Sequence, residues 1–166
     1  MVFVSILIKI DSKGPIFFIS TRIGINNNEF KMTKFRTMYE NVELVETNEL
    51  KNSNLKITKV GKFLRKYSID EFPQFLSVIN GTMSIVGPRP SLPSQFMLIK
   101  EREKLGISKL RPGITGNAQI NGRDTISLEE KIVYEKEYVD KQSFFFDMII
   151  IFKTIKVVFS KNGIIH

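Results

Sequence analysis

The sequence predicts an α+β fold: a single, mainly helical domain carrying one small β-hairpin or sheet. Three observations point there. Residues 16–21 and 30–38 are rich in β-branched and aromatic side chains, and Gly24 with Asn26, Asn27 and Asn28 supplies a turn between them. Elsewhere apolar residues recur at helical spacing, as in "ITKVGKFLRKY", where Val60, Phe63, Leu64 and Tyr67 share a face. At 166 residues, with no repeat, low-complexity tract or linker, the chain fits one domain over residues 1–166 and can bury a real core.

The elements follow in order. "MVFVSILIKI" reads as a short apolar helix ending near Gly14 and Pro15. It is too short to span a bilayer, and it lacks the basic flank and small-residue site of a signal peptide. The hairpin comes next. Residues 40–56 are polar and mixed in charge, and read as a loop or a short helix. "ITKVGKFLRKY" and "DEFPQFLSVING" are two helices, the second closed by Gly81. "MSIVGPRPSLP" is a short strand entering a proline-stiffened loop, and "SQFMLIKEREKLG" is a helix ending at Gly106. "KLRPGITGNAQINGRDT" reads as a loop with three glycines and a proline. Ser127 and Glu130 then open a helix as a capping box. The last apolar run, "FFFDMIIIFKTIKVVF", is interrupted by Asp147, Lys153 and Lys156, so it reads as a buried or membrane-interfacial amphipathic helix rather than a span.

A formal net charge of +8 implies an anionic partner: nucleic acid, a phosphorylated small molecule or an anionic membrane surface. The absence of cysteine excludes disulfides, thiolate zinc sites and a cysteine nucleophile. The single histidine is the last residue, His166, which argues against a Ser-His-Asp triad or a histidine-built metal site. A nucleic-acid reader finds no support either, because the chain has no zinc ligand set, aromatic RNP-like strand or helix-turn-helix. Catalysis is left to carboxylates, Lys, Arg, Ser or Tyr.

Asp70 and Glu71 stand side by side in "RKYSIDEFPQF". Ser68 and Glu71 have capping-box spacing, and acids in a first turn stabilise a helix by roughly 0.3–1 kcal/mol each. Pro73 shifts the expected helix start onto Asp70, where the proline falls inside the first turn and is tolerated. A helix start there would keep Asp70 ionised and attract phosphate. The aspartate can then serve as a cap or as a nucleophile toward phosphorus, and Glu71 as a ligand for Mg²⁺. Arg65, Arg89, Arg111 and Arg123 can serve as cations for a phosphoryl group or as ordinary surface arginines in turns, the second reading being as good as the first for Arg111 and weaker for Arg89. Arg89 is held extended between Pro88 and Pro90. Strand alternation places Lys34 and Arg36 on one face, as site cations or as a solvated basic edge.

The stretches "KFRTM", "LRKYSIDEFPQFLSVINGTMSIVGPRP" and "RPGITGNAQINGR", in this order, resemble the bacterial sugar transferase family. These are monotopic polyprenol-phosphate phosphoglycosyl transferases, and the likeness runs over essentially the whole chain. The resemblance implies that Asp70 attacks the β-phosphate of a UDP-sugar and releases UMP. Polyprenol (undecaprenyl) phosphate then takes the phosphosugar from the enzyme, which begins a polysaccharide or glycan. It implies Mg²⁺ on Glu71, with Arg65, Arg89 and Arg123 on phosphate or nucleotide. The resemblance further implies that Pro88 and Pro90 flank the uridine end and that Lys34 and Asp147 support the site. It also implies a location at the cytoplasmic face of the bacterial plasma membrane.

Three departures stand out. Thr82 replaces the family's acid in "GTMS", and Asn117 replaces its tryptophan in "GITGNAQ". The N-terminal segment resembles only the half of the family's re-entrant membrane helix that follows its Ser-Pro break, with residues 1–13 as its remnant. An alternative reading is therefore a truncated, non-catalytic remnant that binds UDP-sugar or a partner without lipid turnover.

Overall fold

The computed structural model describes residues 1–40, 56–122 and 125–159, and it has the mixed, mainly helical architecture expected. Helix α1 (Val2–Asp11) buries Ile8 and leaves Val2, Phe3, Ile6 and Ile10 exposed. Strands β1 (Phe17–Ile23) and β2 (Glu29–Phe35) form the hairpin, antiparallel, with Phe18 opposite Lys34 and Arg22 opposite Phe30. Asn26 and Asn27 turn the chain in the left-handed region, φ 54° and 61°, which asparagine tolerates better than most residues. Most of the expected 40–56 element lies outside the described residues.

Helix α2 (Lys59–Lys66) starts where Thr58 Oγ1 accepts from Gly61 N at 2.9 Å. Asp11 Oδ2, at the end of α1, accepts from Val60 N at 2.9 Å and ties the two helices together. Gly61 lies on the backbone of Thr37, where an added Cβ would sit 2.1 Å from the Thr37 carbonyl. Only glycine permits that approach. Ile8, Phe35 and Leu64 are the buried centre of this half, packed by Val4, Ile16, Val60 and Ile69.

The other half holds α3 (Gln74–Ile79), β3 (Ser84–Val86), α4 (Phe96–Lys104), β4 (Gly113–Thr115), α5 (Asn117–Ile120), α6 (Leu128–Lys141) and α7 (Phe144–Phe159). Its core is Val86, Tyr138 and Ile150. The capping box of α6 forms as expected: Glu130 N donates to Ser127 Oγ at 3.2 Å, and Ser127 N donates to Glu130 Oε2 at 2.9 Å.

Two expectations need correction. The supposed glycine loop contains β4, paired in parallel with β3, and the short helix α5. Gly87, Gly113 and Gly116 let two backbones meet where side chains would collide: a Cβ on Gly113 would lie 2.2 Å from Gly87 N. The α-helix after the acidic pair begins at Gln74, not Asp70. Asp70 and Glu71 occupy a separate 3₁₀ turn, Ile69–Glu71, entered through Ser68 at φ 53°. Burial against cations, rather than helix capping, sets their conformation, as the site geometry makes plain.

Helix α3 is inside out. Gln74 and Ser77 are buried, whereas Phe75, Leu76 and Ile79 are exposed, as is Phe72 just ahead of the helix. Among the described residues, no helix is long and apolar enough to cross a membrane.

Candidate active site

Asp70 and Glu71 are each only 7% exposed, so each carboxylate needs compensating charge. The hairpin supplies it. Lys34, near the end of β2, donates from Nζ to Glu71 Oε1 at 2.8 Å, and Arg89 Nη1 lies 3.5 Å from the same oxygen. Burial lowers the Lys34 pKa, and Glu71 opposes that shift. Arg65 projects from α2 and donates from Nε to Thr37 Oγ1 at 2.9 Å. Burial lowers its pKa as well, and the Asp70 carboxylate supports its charge.

Arg22, on β1, joins this cluster, although no motif in the sequence marks it. Burial and the neighbouring Arg89 bring its pKa down to about 10, against the pull of Glu71. Strand alternation finds it only once the hairpin register is known. Phe18, Ser20 and Arg22 share one face, and Lys34 sits opposite Phe18 on that face.

Arg89 stands on a pinned backbone. Gly87 N donates to Thr115 O at 2.9 Å, and Gly113 N donates to Pro88 O at 2.8 Å. Ile23 N donates to Ser91 O at 3.0 Å, joining the segment to the hairpin. Arg102 Nη2, from α4, donates to the Arg89 carbonyl at 2.9 Å. Arg102 is itself clamped by Glu135 of α6, with Nε to Oε2 at 2.8 Å and Nη2 to Oε1 at 2.5 Å. Pro88 and Pro90 are buried on either side of Arg89. Nothing in the sequence singled out Arg102 or Glu135, because a charge on an amphipathic helix reads as solvated until its partner is known.

The remaining expected residues fall elsewhere. Asp147, in the first turn of α7, accepts from the Tyr138 hydroxyl at 2.7 Å, and Tyr138 packs against Val86 of β3. Asp147 thus supports the strand leading to Pro88 and Arg89 rather than lying beside Glu71. Arg36 parts from Lys34. It donates to Ser12 O and Lys13 O at 2.8 and 2.6 Å and so holds the link between α1 and β1. Arg111 is exposed, on an open groove of about 270 Å³ lined also by Lys109, Tyr138 and Gln142. Arg123 lies outside the described residues. Thr82 keeps a polar contact through Oγ1 to Ser77 O at 3.0 Å. Asn117 is buried and donates to Tyr134 O at 2.9 Å, so it links α5 to α6 instead of lining a loop.

Among the described residues, no group of three or more His, Cys, Asp or Glu is arranged to hold a metal unaided. The donor set fits an ion that shares its coordination with phosphate, since Mg²⁺ is commonly held by one or two carboxylates plus substrate oxygens. Two carboxylates beneath at least four cations can hold a multiply charged anion and present an oxygen nucleophile to it.

The profile of the bacterial sugar transferase family matches residues 1–161. The uncharacterized sugar transferase EpsL of Bacillus subtilis is 39% identical, with 99% of this chain and 80% of that protein covered. The exopolysaccharide production protein ExoY of Sinorhizobium fredii is 37% identical, with 95% and 76% covered. The UDP-glucose:undecaprenyl-phosphate glucose-1-phosphate transferase of Escherichia coli is 40% identical; 92% of this chain is covered but only 34% of that longer protein.

Proposed function

Because the chain belongs to the bacterial sugar transferase family, we propose that it moves a sugar-1-phosphate from a UDP-sugar to polyprenol (undecaprenyl) phosphate, the first step of an exopolysaccharide or related glycan. One observation carries the reading: Asp70 and Glu71 lie buried under cations immediately before a helix that wears its apolar residues outward. The carboxylates and cations suit a phosphoryl group, and the apolar surface suits a lipid.

In the first half-reaction an Asp70 carboxylate oxygen forms a bond to the β-phosphorus. The bond from that phosphorus to the bridging oxygen breaks, and UMP leaves with the electron pair. In the second, an oxygen of polyprenol phosphate attacks the same phosphorus, and the Asp70 carboxylate is regenerated. Lys34, Arg65 and Arg89 hold phosphate oxygens and offset the charge of two anions brought together. Glu71 would hold Mg²⁺ together with phosphate oxygens. When bound, that ion neutralises phosphate charge and polarises the phosphoryl oxygens.

The exposed apolar residues of α1, α3 and α7 support residence on a membrane surface, at the cytoplasmic face where UDP-sugars are found. Phe3, Ile79 and Phe145 are each more than two-thirds exposed, at 71%, 80% and 79%, a heavy cost in water and none in acyl chains.

The test is UMP release from a panel of UDP-sugars with Mg²⁺, with and without undecaprenyl phosphate. Lipid-dependent turnover is the expected result. A single stoichiometric burst would favour a chain that forms the intermediate without reaching its acceptor, and no UMP in any mixture would end the catalytic reading. Asp70→Asn should abolish the covalent phosphosugar adduct seen by intact-mass spectrometry; an adduct in that variant would move the nucleophile elsewhere.

A further inference from the structure

Arg22 and Lys34 share one face of the hairpin, because Phe18 stands opposite Lys34 and Arg22 lies two alternations further along β1. The next residue, Ile23, bonds to Ser91 and so brings the end of β1 against the Arg89 segment. Two guanidinium groups are thereby held close, and Arg22 feels Arg89 more strongly than it feels Glu71. Its only side-chain hydrogen bond among the described residues runs from Nε to Ser20 Oγ at 3.2 Å. The terminal nitrogens, with four N–H donors, bond no described protein atom. Holding like charges together costs stability, and an anion bound there would offset that cost.

The cluster also has two ends. Arg65 accompanies Asp70, while Arg22 and Arg89 accompany Glu71. The phosphorus under attack must lie at Asp70, so the departing phosphate lies toward the other end. We infer that Arg22 binds the phosphate of the leaving nucleotide, donating its terminal N–H groups to UMP as the bond to the bridging oxygen breaks. This assignment rests on Asp70 being the nucleophile toward a UDP-sugar. Negative charge builds on the UMP phosphate as it departs, so a guanidinium fork placed there is worth more in the transition state than in the bound substrate.

The experiment measures UMP and uridine binding by titration calorimetry, and the rate of the UMP burst from a UDP-sugar, for the unsubstituted chain, Arg22→Met and Arg22→Lys. Thermal unfolding of each variant verifies the fold, and Arg22→Lys keeps a cation in place should the methionine variant fold poorly. Arg22→Met should weaken UMP binding about tenfold and leave uridine binding unchanged. It should slow the burst by about 10²-fold, and lysine should recover part of both. Arg65→Met should behave oppositely, losing the burst while keeping UMP affinity. Unchanged UMP affinity in folded Arg22→Met would overturn the assignment, as would an unsubstituted chain that binds UMP no better than uridine. If Arg22→Met loses UMP affinity in a chain that forms no adduct, the phosphate contact stands and the transfer reading falls.

Discussion

Two clusters of buried charge meet at Arg89, one at its carbonyl and one at its guanidinium, and they are built on opposite plans. At the carbonyl, Arg102 and Glu135 pair one to one through two hydrogen bonds, 7% and 2% exposed. At the guanidinium, Arg22, Lys34, Arg65 and Arg89 surround two carboxylates, Asp70 and Glu71. The first cluster is electrically closed and holds a backbone in place. Among the described residues, the second keeps a surplus of positive charge that an incoming anion would match. A matched pair is lost at great cost when one partner goes; a surplus cation is lost at little cost to the fold and great cost to binding.

The largest effect should follow from breaking the closed pair. Glu135→Ala leaves Arg102 buried without its carboxylate, and urea unfolding should register a loss of about 3–5 kcal/mol. A loss under about 1 kcal/mol would mean that the pair is not the matched element described. The double change Arg102→Met with Glu135→Leu should restore most of the stability, because an apolar pair of similar bulk can replace buried ions. UMP affinity should stay reduced, since the Arg89 carbonyl still lacks its donor. Recovery of both together would reduce Arg102 to a packing role.

A smaller effect concerns the strand that leads to Arg89. Burial first, and the Asp147 carboxylate second, raise the Tyr138 pKa well above its ordinary value of about 10. The unfolded chain then ionises this tyrosine before the folded chain does. Its contribution is complete below about pH 10 and is lost as the pH climbs through the raised folded value. Comparing urea midpoints from pH 9 to 11, Tyr138→Phe should lack the part of the alkaline decline that the hydroxyl causes. Identical slopes would detach Tyr138 from the frame.

The smallest effect should come from the open cluster. Arg22→Met should leave unfolding stability unchanged, or raise it by up to about 1 kcal/mol, because repulsion with Arg89 is relieved. A loss as large as that of Glu135→Ala would show that Arg22 is as firmly matched as Arg102 and would erase the contrast.

Local signals carried much of this architecture. β-Branched and aromatic residues flanking a run of asparagines announced the hairpin, the Ser127 and Glu130 spacing announced α6, and the apolar run announced α7. What stayed hidden depends on partners far along the chain. Strand β4 owes its existence to Gly87, some 26 residues away, and three glycines read locally as a loop. The acidic pair looked like a helix start because its true competitor, Lys34 on β2, lies 37 residues distant. Asp70 and Glu71 could be singled out by composition and order. Arg22 required the hairpin register, and Arg102 required knowing that α4 and α6 meet.

The glycine crossing beneath Arg89 also separates two clocks. The amides of Gly87 and Gly113 donate across the β3–β4 junction, so they can exchange hydrogen with water only when that junction parts. Lysine and arginine side chains change rotamer in roughly picoseconds to nanoseconds where they reach solvent. Arg89, whose side chain is 29% exposed, can adjust on that scale at its solvent-facing end, while the frame that carries it opens only when the junction parts. Hydrogen-exchange protection at these two amides should report the integrity of the site more faithfully than any probe of the cations themselves.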